Sequence, residues 1–267
     1  MLLARFAFQG VVLLLIAAAA SIPLGMRREV VALLVLRTVL HIIGIGAMFV
    51  SLRYLPLADA LAICFVLPFI LLLFGRIFAG EEVGPRRVIA CSVGFAGTLL
   101  VIQPSFAAVG APALLPLVVA VTFSLFMMVT RKVAKEIDPI GLQAVSGVIA
   151  VLLLGVLAGV GATLDVPDLV LVQPSARDAW LLAFLGVLGT VAHLMMTWSL
   201  RFAPSATLAP VQYLEIAFGT LIGWIVFGDL PNGLAALGMA IIVAAGLYVV
   251  LRERKVARAL AVETTTI

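Results

Sequence analysis

Charge is what this 267-residue chain has least of: 11% of its residues are Asp, Glu, Lys or Arg, against 64% that are apolar. Soluble domains carry about a quarter charged residues, so this chain cannot cover itself with a polar surface. Cysteine is nearly absent too. Cys64 and Cys91 both fall inside apolar stretches and are not spaced as a redox or metal pair, which excludes a disulfide framework and leaves two small apolar fillers. Enzyme motifs are missing: there is no HExxH, no GxSxG and no phosphate-binding loop. "GIGAMF" from Gly44 lacks the third glycine and the preceding strand of a dinucleotide fingerprint and reads as a packing helix. Without a nucleotide-binding loop the chain is not expected to hydrolyse ATP.

What is abundant is uninterrupted apolar sequence. Nine segments, at roughly 6–25, 31–52, 57–79, 88–103, 112–130, 139–161, 178–200, 205–227 and 232–251, each approach the ~20 residues that cross a ~30 Å hydrocarbon core. The runs are continuous, not alternating, which predicts helices and not a barrel. The opening run is near twenty residues long and its charges, Arg27 and Arg28, follow it; it reads as a spanning helix and not as a signal peptide.

The net charge of +4 does not point to nucleic acid, because the basic residues sit in short runs between apolar segments. With Arg27–Arg28 placed in the cytoplasm, thirteen Lys and Arg fall on that side and three (Arg5, Arg53, Arg177) on the other, with Arg37 inside the second span. This positive-inside bias puts the C-terminus in the cytoplasm.

An internal repeat is visible. "RYLPLADALAICFVLPFILLLFGRIFAGEE" (53–82) aligns with "RFAPSATLAPVQYLEIAFGTLIGWIVFGDL" (201–230), pairing Arg53 with Arg201, Pro56 with Pro204 and Gly75 with Gly223. The two copies start on opposite sides of the bilayer, which makes them inverted repeats, a common construction of secondary transporters. The expected division is 1–104 for the first repeat, 105–256 for the second and 257–267 for a cytoplasmic tail. The second copy has five spans and the first four, so a leading helix is expected to be missing from the first.

These stretches carry a resemblance. "ARF" at Ala4–Phe6, "RYLPLADA" at 53–60, Pro68, "GEEVGPRR" at 80–87, "RFAPSATLAP" at 201–210 and "GWIVFGDLP" at 223–231 resemble the drug/metabolite transporter superfamily, specifically EamA-type proteins of two five-helix repeats. The resemblance implies an all-α, multi-pass protein of the cell inner membrane that moves a small organic metabolite or drug-like compound by alternating access. It needs no cofactor or metal. A proton as coupling ion and a homodimer are compatible with it. The competing expectation is a non-transporting membrane scaffold or a membrane-embedded enzyme; a titratable cavity at mid-membrane favours transport, a dry packed interior the scaffold.

Polar residues inside the spans are the candidate site. Glu215 lies half-way along the eighth span, where an ionised acid costs about 2.5–3.5 kcal/mol on insertion scales, so it is expected to face protein or a wet cavity. Gln212, Glu215, Gly219 and Gly223 share one helical face, and Gly219 with Gly223 forms a small-xxx-small packing pattern. Pro210 one turn earlier, and Pro68 in the first copy, are expected to break their helices. Glu215 either meets substrate or a proton, or pairs with an arginine to lock two helices. Arg37 and His41 lie one turn apart; Arg37 is about 9 Å along the helix from the cytoplasmic end and has the reach to snorkel. His193 shares a face with Gly186, Thr190 and Thr197. Each histidine is either a cavity group or a helix-to-helix hydrogen bonder. Tyr213 and Trp198 offer flat walls to a ring-bearing substrate or simply pack. Asp59, near the outer end of its helix, is expected at a solvated mouth or as a local cap.

Overall fold

A long apolar run in a bilayer must satisfy its backbone N–H and C=O groups internally, and helices do this within one segment. The computed structural model of the chain describes residues 1–79, 85–164, 172–202, 215, 218–228 and 230–265. Its helices are α1 (Leu2–Ala19), α2 (Arg28–Ser51), α3 (Leu57–Cys64), α4 (Leu67–Ala79), α5 (Pro85–Val109), α6 (Leu115–Ala134, after a 3₁₀ turn over Ala111–Leu114), α7 (Pro139–Thr163), α8 (Ala176–Phe202), α9 (Phe218–Phe227) and α10 (Gly233–Thr265). Six helical stretches are long and apolar enough to cross a membrane, and shorter apolar helices fall at Leu57–Leu71, Phe218–Phe227 and Gly233–Tyr248. Each of the nine expected spans therefore meets a helix, the eighth only over its described part Phe218–Phe227. The rest of 205–227 lies outside the described residues except Glu215, and no strand occurs among the described residues. The chain is an all-α, multi-pass membrane protein.

Three boundaries differ from the sequence expectation. α1 stops at Ala19 and not near residue 25, because the ring of Pro23 would collide with the Ala19 carbonyl of a continuing helix; Ser21 turns the chain at φ 52°. The third span is divided at Phe65–Val66, just ahead of the buried Pro68, whose missing N–H could not have bonded the Cys64 carbonyl. α10 continues past the expected end at 251, through a stretch rich in the strong helix formers Leu, Arg, Lys and Ala. Elsewhere local signals act as expected. Asp138 caps α7 by accepting from the Ile140 N–H at 2.8 Å, with Pro139 in the first turn.

The chain forms two compact units, and each takes helices from both halves of the sequence. Unit 1 is Met1–Ile43 with Phe126–Ala203, holding α1, most of α2, the end of α6, α7 and α8. Here α1 crosses α7 backbone to backbone: a Cβ on Gly147 would lie 2.7 Å from the Gly10 Cα, so only glycine permits the approach. A small apolar cluster of Leu34, Val133, Ala134 and Leu142 lies in the same unit.

Unit 2 is Gly44–Leu125 with Pro204–Ile267. Its core is apolar, with Leu55, Ile63, Phe65, Val101, Met239 and Ile242 at its centre. α5 crosses α10 with a Cβ on Gly97 only 2.9 Å from the Gly238 carbonyl oxygen. The repeat is visible in the helix starts: the offset that carries Arg53 onto Arg201 also carries Arg28, the start of α2, onto Ala176, the start of α8, and Pro85, the start of α5, onto Gly233, the start of α10.

Candidate functional site

The polar residues of unit 1 converge. Arg37 of α2 is fully buried. Its Nε donates to Thr130 Oγ1 and its Nη1 to Ser146 Oγ, both at 2.8 Å, and its Cζ stands 4.4 Å from the Phe126 ring centroid. Thr130 is prepared for this. Its own hydroxyl donates back to the Phe126 carbonyl at 2.6 Å, leaving oxygen lone pairs for the guanidinium. Arg37 therefore turns inward between α6 and α7 and does not snorkel. Its Nη2 has no partner among the described residues.

One turn along α2, His41 is equally buried, and its Nε2 lies 3.2 Å from the Nε2 of His193 on α8. A hydrogen bond between two imidazole nitrogens needs one of them protonated and the other bare, so the contact itself holds a single proton, carried by one of the two Nε2 atoms. Phe6 meets the His41 ring edge-on at 5.1 Å and Phe126 lies tilted against it at 4.6 Å.

Gln143 of α7 joins the remaining helices. Its Nε2 donates to Thr197 Oγ1 at 2.7 Å and to the His193 carbonyl at 3.0 Å, while Gln9 of α1 donates to the Gln143 carbonyl at 3.0 Å and to its Oε1 at 3.1 Å. Thr197 repeats the device of Thr130, giving its hydrogen to the carbonyl one turn back and accepting from the amide. Arg5, 7% exposed, lies over Gly189 of α8, where a Cβ would sit 2.6 Å from its Nε; that nitrogen too lacks a partner among the described residues. The acidic side chains described in this unit, Glu29, Glu136, Asp138 and Asp178, stand at helix ends or in the α6–α7 connection. The arrangement can hold a polar molecule by hydrogen bonds, stack rings, place positive charge against an anion and pass a proton between two imidazoles.

The other sequence-predicted residues lie elsewhere. Trp198 is 42% exposed on α8. Pro210, Gln212 and Tyr213 lie outside the described residues. Glu215 belongs to unit 2 and is exposed, whereas Gly219, one turn on, is buried with Leu61 filling the space a side chain would take. Asp59 departs from expectation: it is buried and accepts from Ser105 Oγ of α5 at 3.1 Å, because that hydroxyl faces it across the helix pair. A groove of about 680 Å³ beside α9 and α10, with Leu221, Trp224, Leu230, Met239 and Leu247 on its walls, offers a polar molecule little to hold.

Sequence reasoning missed Arg5, Gln9, Thr130, Gln143 and Ser146. A signal existed: Arg5 and Gln9 are four residues apart, and Gln143 and Ser146 three, so each pair shares a helical face inside an apolar run, as Arg37 and His41 do.

A family model described as the EamA-like transporter family matches residues 1–103 and 111–252. A riboflavin transporter of Rhizobium johnstonii is 30% identical over 219 residues, covering 82% of this chain and 70% of that protein. A riboflavin transporter of Brucella anthropi is 25% identical, covering 84% and 78%. An S-adenosylmethionine uptake transporter of Rickettsia felis is 23% identical, covering 83% and 72%. A solved crystal structure superposes with a TM-score of 0.64 at 19% identity, covering 95% of this chain and 87% of that one, which shows a shared fold.

Proposed function

The chain belongs to the EamA-like transporter family, which makes it a transporter of small metabolites and not an enzyme, and on that premise we propose that it moves a ring-bearing metabolite of the riboflavin kind across the inner membrane by alternating access. One observation carries the choice of site: five helices of unit 1 bring buried polar groups together in two hydrogen-bonded sets, Arg37 with Thr130 and Ser146, and the His41–His193 pair with Gln143, Gln9 and Thr197, which meet at the Phe126 ring. Polar groups inside membrane spans are expensive and mark substrate or ion pathways. Riboflavin and S-adenosylmethionine, in the names of the relatives, both carry a flat heteroaromatic ring with hydrogen-bonding edges, which suits aromatic faces and amide donors.

Gradient coupling by protons is part of this proposal. The histidine pair is a group that can gain and lose a proton as access alternates, and Glu215, exposed in unit 2, is a second candidate. The positive-inside bias supports a cytoplasmic C-terminus. The test is uptake of labelled riboflavin by liposomes containing the purified protein, with and without a pH step. His41→Phe keeps a ring between Phe6 and Phe126 but removes the shared proton; accumulation driven by the pH step should fall about tenfold or more, as for loss of a proton-transfer group, while protein abundance holds. No riboflavin movement by the wild-type protein in either direction would overturn the choice of substrate. Unchanged pH-driven accumulation by His41→Phe would remove the pair from coupling.

A further inference from the structure

Arg37 is a charge without a counter-charge among the described residues. It is fully buried, and its neighbours are two hydroxyls and a phenyl ring, none of them ionised. Arginine stays protonated in proteins, and a buried ion is costly unless it is paired. The four described acids of the unit stand at helix ends or in a connection. Arg5, on α1 of the same unit, adds a second buried guanidinium with an unbonded Nε.

The geometry looks prepared and not merely tolerated. Thr130 and Ser146 tie down the Nε and Nη1 of Arg37 from two different helices, which fixes the guanidinium plane and leaves the Nη2 hydrogens uncommitted. If the arginine served only to join helices, its donors would be spent on those helices. A planar donor fork with spare hydrogens matches the oxygens of a carboxylate or phosphate.

We propose that the unit-1 core is an organic-anion site, in which Arg37, assisted by Arg5, receives a carboxylate or phosphate of the transported metabolite, so that an anionic cargo is preferred to its neutral counterpart. This rests on the proposal that the same core handles the cargo. Arg37 is covered here, so the anion reaches it in a more open conformation, as alternating access supplies.

Riboflavin and its 5′-phosphate, flavin mononucleotide, share one ring system and differ by the phosphate. Binding of both, of inorganic phosphate and of benzoate is measured by thermal shift and fluorescence on the full-length protein in nanodiscs, for the wild type, Arg37→Gln and Arg5→Gln. Flavin mononucleotide should bind about tenfold or more tightly than riboflavin, in the range of a charge-assisted contact, and in Arg37→Gln the ratio of the two affinities should fall to about one. If Arg37→Gln does not fold, a reduced preference in Arg5→Gln carries the same meaning. Equal affinity for the two flavins, or a preference unchanged in the arginine variants, overturns the anion site and leaves the riboflavin proposal standing. If neither flavin binds but phosphate or benzoate stabilises the wild type and not the Arg37 variant, the anion site stands, the better probe identifies phosphate or carboxylate, and the riboflavin proposal falls. If no probe binds, both fall.

Discussion

Units 1 and 2 are built from the same kind of helix, cross at the same kind of glycine contact and bury different chemistry. Gly10 against Gly147 and Gly97 against Gly238 bring backbones together in the two units alike. Around them, unit 1 buries Arg5 and also Gln9, Arg37, His41 and Gln143, each of these four bonded to another helix. Unit 2 buries a largely aliphatic core, with Asp59 bonded to Ser105, Ser124 bonded to the Leu67 carbonyl and Thr98 bonded to the carbonyl one turn back. Close glycine packing is thus common to the two units, and among the described residues the buried polar groups bonded between helices are concentrated in unit 1. Stability alone does not require that, since apolar residues of similar volume often replace buried ionic groups without loss.

The largest effect expected is on the part the two units share. Gly147→Leu puts a side chain into the Gly10 backbone and should cost more than about 3 kcal/mol, the upper end of overpacking penalties, because a backbone atom cannot rotate away. The recovery of monodisperse protein in mild detergent should collapse, and Gly238→Leu should behave the same way. Normal recovery of either variant would show that its crossing is looser than described.

Next come substitutions that separate the units. Gln143→Leu removes the side-chain bonds to Gln9, Thr197 and the His193 carbonyl, while Gln9 keeps the residue-143 carbonyl and Thr197 keeps the His193 carbonyl as partners. It should cost about 0.5–1.5 kcal/mol per bond lost and abolish uptake even where folded protein is recovered. Uptake by recovered Gln143→Leu equal to wild type would make the network a structural device and erase the distinction between the units. Glu215→Gln sharpens the comparison from the other side. It keeps shape and removes charge, and should abolish accumulation against a pH step with abundance near normal. Full accumulation would take Glu215 out of coupling and leave it to the histidine pair. The smallest effect is expected for Asp59→Asn, which retains an oxygen for Ser105 and should shift stability by less than about 1 kcal/mol with uptake unchanged, measured by thermal melting and the same liposome assay.

What could be read from the sequence follows from which forces act locally. A continuous apolar run decides for a helix within one segment, so each of the nine spans met one, and a proline acts on the carbonyl four residues back, so the ends near Pro23 and Pro68 follow from covalent geometry. Partnership between helices is a tertiary fact. The face shared by Arg37 and His41 was legible; that Thr130, Ser146 and His193 would meet it depends on how α6, α7 and α8 pack against α2, which no local stretch of sequence announces. Asp59 shows the same limit. Its position near a helix end suggested water, but it is buried, and Ser105, 46 residues away, supplies one of its partners.

The central claim, that cargo is handled in the unit-1 core and not in unit 2, is tested most directly by substrate protection. Single cysteines replace Thr197 in unit 1 and Ser105 in unit 2, in a protein whose Cys64 and Cys91 are alanine, and maleimide labelling of each is timed in membrane vesicles with and without riboflavin. Riboflavin should slow labelling at 197 several-fold and leave labelling at 105 unchanged. Protection at 105, with none at 197, would contradict the account.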